Sequence, residues 1–428
     1  MTRSSTPLAR LSRLLTASIG AFLIAGLSAC GSATASPHRA AGSTRTNASA
    51  SAGSSASAVS AACAATVAST LGDVGERVYR AAATGDDVAE AVGRVRGSSA
   101  LASAVASGDA SAAGAALRAL LEGQIVRIEV LRDGHVLASA GAGPAIAPVR
   151  GSIPGTDGSF VLSVQSDRDY LQVTHQITGA QLLLISAAKT LAGTTSGPPP
   201  ASVPSSGALS LAGHSYEVTS LAGEVYPAGA MRVALLVPSS GLACPGSAAQ
   251  TRVETLGRVG ELIYKEELNS PDVRATLRRL ESSFAFASAV AAQNAAATRE
   301  AIEGFFKAHI HVVRVRVTVG EHLLVDDGGP YALAPVRGTL RRGGHVIGHF
   351  EMSIQDDAGY LELARLFTGA DVLMRVGGHQ VMGTLSPGPA SVPDRGPVSY
   401  EGRSYQAYSF TAEAFPSGPL SISLLLAS

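Results

Sequence analysis

The chain carries one pattern twice, in the same order and at nearly constant spacing. Thr70-Leu71-Gly72, Val74-Gly75-Glu76 and Tyr79 return as Thr255-Leu256-Gly257, Val259-Gly260-Glu261 and Tyr264. Ala147-Pro148-Val149-Arg150-Gly151 returns as Ala334-Pro335-Val336-Arg337-Gly338. Ser163-Val164-Gln165 with Asp167, Tyr170 and Leu171 returns as Ser353-Ile354-Gln355 with Asp357, Tyr360 and Leu361. Pro200-Ala201-Ser202-Val203-Pro204 returns as Pro389-Ala390-Ser391-Val392-Pro393. The offset drifts only from 185 to 190 residues. A unit this long is a whole domain, not a solenoid repeat of roughly 20–50 residues. The chain should therefore fold as two domains on one plan, at 63–244 and 248–428.

Residues 1–29 read as a leader and stand outside the fold. Arg3, Arg10 and Arg13 precede an apolar stretch, Leu14 to Gly26, which is short for a membrane span. Leu27-Ser28-Ala29-Cys30 resembles the lipobox of bacterial lipoproteins, which implies cleavage before Cys30 and acylation of its thiol. The expected partner of that end is the membrane, through the lipid, with the folded part outside the cytoplasm. Residues 30–62, mostly Ser, Ala, Thr and Gly, read as a flexible tether. No later stretch is apolar for long enough to cross a membrane.

Charged residues balance at 33 Lys plus Arg and 33 Asp plus Glu. Loss of the three leader arginines leaves a mildly acidic mature chain, and no basic face for nucleic acid is expected. Cys63 and Cys244 flank the first domain. In an oxidising compartment the expectation is a disulfide between them. In the chain-entropy model a loop of that length contributes about 4–5 kcal/mol. The second copy has no matching cysteines.

Within each copy the hydrophobic period changes. Val67, Leu71, Val74 and Val78, and Val253, Leu256, Val259 and Ile263, recur at helical spacing. Helical material continues over 88–121 and 271–306. Ser107-Gly108 should break the former, and Ser270-Pro271 should start a helix in the latter. Strict alternation follows in Ile125 to Val130 and Val312 to Val317, then a hairpin turn at Arg132-Asp133-Gly134-His135. The Pro-Val-Arg-Gly block reads as a loop, and Asp167 to Thr178 and Asp357 to Thr368 read as short helices. Helices followed by a run of strands predict an α+β domain with a mainly antiparallel sheet.

This order resembles the Cache group, including the PDC subtype, of PAS-like extracellular sensor domains: a long N-terminal helix, a hairpin, a strand followed by Asp-x-x-Tyr-Leu, and closing strands. The resemblance implies two homologous Cache-like domains that hold small ligands, often amino acids or carboxylates. Such domains usually sit in chemoreceptors and histidine kinases. Here the chain stops at Ser428 after its last strand, so the expectation is a sensor-type protein with no output domain of its own that reports to a membrane signalling protein. Its alternatives are a non-catalytic envelope interaction or structural module and a metal-binding lipoprotein.

Arg150 and Arg337 are candidate carboxylate anchors, because a guanidinium offers two parallel donors. The competing reading is a loop arginine held by carbonyls or by Asp167 and Asp357. Those aspartates and Tyr170 and Tyr360 are candidate ligand contacts at i and i+3; equally, the aspartates are helix N-caps and the rings are core. His309 and His311, and His345 and His349, each share a strand face by count, and together they make a candidate zinc or copper site. No nucleophile elbow, metalloprotease helix, P-loop or dinucleotide fingerprint occurs, so neither catalysis nor a cofactor is expected.

Overall fold

The computed structural model describes residues 50–428, apart from 122–123, 188, 243–245, 309–311, 330–331 and 417. The first copy opens on a long helix, Ala50–Thr84, and the second on Ala248–Asn269. The first of these begins inside the stretch expected to be a tether. Alanine, the best helix former, lets the helix extend backward from turns anchored in the core. Three shorter helices follow in each copy. In the first, Ser99–Ser107 ends on left-handed Gly108, and Asp109 caps Ala110–Leu120. In the second, Ser270 accepts the Val273 amide and Pro271 takes the first helical position, where its missing donor costs nothing.

Each copy then builds two antiparallel sheets with the same topology in both. The smaller sheet has the order His135–Gly141, Arg127–Arg132, Gly158–Ser163, Val149–Ser152 in the first copy. In the second it is His322–Gly328, Arg314–Val319, His345–Ser353, Val336–Arg342. The first hairpin turns through Asp133 and Gly134, both with positive φ, as a two-residue turn of matching twist requires. The larger sheet has seven strands. Its centre is the pair His214–Tyr226 and Gly229–Pro238, matched by Arg403–Phe415 and Gly418–Ala427. The short helices Asp167–Thr178 and Asp357–Thr368 lie where the sequence placed them. The α+β class with two homologous domains is thus the observed architecture.

Two of the repeated blocks mark the places where the chain crosses between the sheets. Ala145–Ile146 belongs to the seven-stranded sheet and Val149–Ser152 to the four-stranded one. Gly158–Ser163 belongs to the small sheet and Gln165–Ser166 to the large one. The Pro-Val-Arg-Gly block, expected as a loop, is therefore mostly strand. Ala147 and Ala334 sit at its kink with φ of 51° and 53°, a left-handed conformation that costs a non-glycine residue about 1–3 kcal/mol.

The four-stranded sheets pack under their own helices and have separate cores, around Phe160 and Phe350. Each seven-stranded sheet also packs under its own long helix, but the two share one core. The two long helices pack against each other, and each short helix touches the long helix of both copies. Leu71, Val74, Tyr170, Leu256, Val259, Tyr360 and Phe367 lie in one continuous core. The two copies are joined through the helices that cover their large sheets into a single apolar interior.

Candidate functional site

The repeated residues converge, but on one another. Tyr170 is fully buried and donates to the Gly75 carbonyl at 3.2 Å. Tyr360 donates to Gly260 at 2.9 Å. Burial raises both phenols above the ordinary tyrosine range. Tyr79 stands edge-on to Tyr170 with centroids 6.3 Å apart, and Tyr264 to Tyr360 at 6.5 Å. The Tyr79 and Tyr264 hydroxyls accept the Glu224 and Glu413 amides at 2.7 and 2.9 Å. Gly72 and Gly75, and Gly257 and Gly260, bring each long helix down onto its sheet. An added Cβ would meet Thr219 at 2.9 Å and Tyr408 at 2.1 Å at the first glycine of each pair.

Glu224 and Glu413 carry the chain of contacts outward. Arg150 makes a two-pronged ion pair with Glu224, with Nη1 donating to Oε2 at 3.0 Å. The arginine holds the Glu224 carboxyl below its ordinary range and is itself raised by it. Arg337 donates to Glu351 at 2.8 Å and pairs with Glu413. In both copies the arginine stands on the small sheet and grips an acid of the large one. It bolts the crossing between the sheets. The acids are neither of the two aspartates weighed for this role; Asp167 and Asp357 stand at the start of the short helices.

Those aspartates occupy the first helical turn. The caps are the residues before them: Ser166 accepts the Asp169 amide at 3.0 Å, and Asp356 accepts the Gly359 amide at 2.6 Å. A Ser-to-Asp difference between the copies thus preserves one role. Burial raises the carboxyls of Asp167 and Asp357. Arg337 and Tyr360 do not converge, and the interior at Tyr360 is packed.

Cys30, Cys244, His309 and His311 lie outside the described residues. His345 and His349 do not share a face in the way a count of four suggests. The register sets His349 opposite Thr339 and His345 opposite Arg342, with a one-residue irregularity between. An inserted residue reverses the alternation. His349 is exposed and contacts Thr339 Oγ1 at 3.3 Å. Among the described residues no group of three or more metal-ligating side chains occurs, and no helix is long and apolar enough to cross a membrane.

One open cleft, of about 640 Å³, lies within the first copy, with Ser166, Asp167 and His175 among its walls. Another lies where the copies meet. Gly369 ends the second copy's short helix against the first long helix, beside a cleft of about 640 Å³. Its walls include Arg77, Arg80, Arg365, Asp86 and Glu362. Arg77 caps the short helix by donating to the Thr368 carbonyl at 3.1 Å, a favourable place for a cation. At the corresponding junction, Gly179 faces the second long helix across a space of only about 170 Å³, with Leu71, Leu262, Glu254 and Arg258 among its walls. Leu262 and Lys265 stand where the first copy has Arg77 and Arg80, and His175 where the second has Arg365. These positions lie in the differences between the copies, which a search for shared motifs passes over.

No known family model and no curated protein matches this chain. Among solved structures it is similar to two of the periplasmic domain of Vibrio cholerae LuxQ. One matches at 13% identity and a TM-score of 0.31, covering 41% of this chain and 100% of that one. The other matches at 15% and 0.29, covering 41% and 98%.

Proposed function

We propose that this protein is an extracytoplasmic, sensor-type binding module of the Cache-like kind. A lipid on Cys30 holds it at the membrane, a Cys63–Cys244 disulfide closes its first domain, and it has no catalytic role. It takes a small polar ligand in the cleft between its copies, and a membrane signalling protein reads the bound state. The observation that supports the reading is the cleft itself. It is the wider side of a repeated junction, and it has Arg77, Arg80 and Arg365 where the other copy has Leu262, Lys265 and His175. A ligand bearing both a carboxylate and an amine matches that set. Because both large sheets share a core, a ligand bound between the copies touches helices of each.

Thermal-shift screening of the mature chain against amino acids and small carboxylates tests this. A true ligand raises the midpoint with concentration, and the Arg80→Ala, Arg365→Ala double variant abolishes the rise. Flat responses across the library would sink the sensor reading. They would favour the non-catalytic envelope module, which the filled interiors around Tyr170 and Tyr360 also support. Intact-mass and non-reducing peptide analysis check the lipid and the disulfide.

A further inference from the structure

The outer face of each seven-stranded sheet is covered by the repeated Pro-Ala-Ser-Val-Pro segment, with Val203 and Val392 packed against it. One arginine sits beneath each cover, but on different strands. In the first copy it is Arg232, directly opposite Ile185. In the second it is Arg375, at the position of Ile185 and directly opposite Ser421, which stands in place of Arg232. The charge has moved across the strand pair while keeping its place on the sheet.

The two arginines differ in how they are satisfied. Arg232 donates to the Pro204 carbonyl at 2.6 Å, to Ser220 Oγ at 2.9 Å and to the Val203 carbonyl at 2.7 Å. Arg375 is 8% exposed and, among the described residues, donates only to the Pro389 carbonyl. Among the described residues its Nε is buried without a partner, and no ion pair to it occurs. The carbonyl matching Pro204, that of Pro393, is taken by the Ser409 hydroxyl at 3.3 Å. Burial lowers the Arg375 guanidinium from its ordinary value. A buried cation without an anion is costly, and proteins seldom keep one unpaired.

Arg375 lines a cavity of about 590 Å³ that also presents His379, Gln380 and Gly388. Gln380 is locked by the Leu385 carbonyl and the Gly388 amide, so the cavity wall is set before anything enters. We propose that Arg375 is the floor of an oxyanion site private to the second copy, which takes the carboxylate or phosphate group of a small ligand. His379 stands at its rim as a second donor. The site is separate from the cleft between the copies and stands whether or not that cleft binds anything.

Titration of the mature chain with inorganic phosphate and, separately, with acetate, at ionic strength fixed by chloride, tests the proposal. The melting midpoint should rise with the concentration of at least one of the two. A rise with phosphate alone identifies a phosphate site, and a rise with acetate a carboxylate site. Arg375→Met should weaken the response about tenfold or more, Arg375→Lys should keep part of it, and Arg232→Met should leave it intact. The Arg80→Ala, Arg365→Ala double variant should also leave it intact, which separates this site from the cleft. If Arg375→Met does not fold, the Gly388 amide resonance of the unsubstituted protein should still shift on phosphate or acetate addition. No response to either anion, or an undiminished response in a folded Arg375→Met, overturns the proposal.

Discussion

Gly72 and Gly257 occupy the same place in the two long helices, yet they face different neighbours. The first lies against the Thr219 methyl and the second against the Tyr408 ring. The backbone plan is copied, while the side chains that fill it have diverged. The same contrast runs through the molecule. Residues common to both copies hold the sheets, crossings and helices together, while the arginines that line the cleft between the copies and the covered face of the large sheet differ between them.

The comparison is sharpest at the glycines. Replacing a helix-interior glycine by alanine gains about 1 kcal/mol of propensity, against an overpacking cost of about 1–3 kcal/mol. A methyl group 2.9 Å from Thr219 can be accommodated by a small shift, so Gly72→Ala should be near neutral in urea unfolding. One 2.1 Å from a buried ring cannot, so Gly257→Ala should lose about 2 kcal/mol. Equal losses would break the view that the copies pack differently.

The tyrosines should instead behave alike. Tyr170→Phe and Tyr360→Phe each remove one buried hydrogen bond and should each cost about 1 kcal/mol. A large cost in one and none in the other would mean that the shared network is not shared in energy. The clamps come next. Both are largely exposed, so Arg150→Ala and Arg337→Ala should cost at most about 1 kcal/mol. Arg337, with two acids, should lose more, and half-molar salt should shrink both differences.

The smallest effects are in pH, and their signs oppose. Arg150 lowers the Glu224 carboxyl, so its contribution is present above the unfolded value and is lost as pH falls through the folded one. Glu224→Gln should therefore weaken the fold at neutral pH and leave it unchanged in strong acid. Burial raises the Asp357 carboxyl, so its contribution is present below the unfolded value and is lost as pH rises through the folded one. Asp357→Asn should match the unsubstituted protein in acid and stabilise it slightly at neutral pH. Parallel pH profiles for the two variants would contradict both assignments.

Much of the fold is legible in the sequence because local pattern and local structure agree there. Asp167 to Thr178 has the right spacing, a cap before it and a left-handed glycine after it. Arg132 to His135 has the turn residues that a tight hairpin needs. The candidate site was not legible in the same way. Arg150 and Arg337 look like ligand anchors because a guanidinium in a repeated loop has no visible partner in sequence. Their partners, Glu224 and Glu413, lie 74 and 76 residues away. The histidine pair failed for a different reason: period-two counting assumes an unbroken strand, and the irregularity between His345 and His349 breaks it.

The sequence by itself determined that there are two copies, what class each has, and where its helices and hairpins fall, because these depend on residues near one another in the chain. Only the tertiary structure decided that the copies share one core and that the repeated arginines are bolts between sheets. It alone placed Arg375 beneath its cover with no counter-charge among the described residues. Those facts depend on contacts across scores of residues, where the pairing of strands, and not the spacing of letters, sets which groups meet.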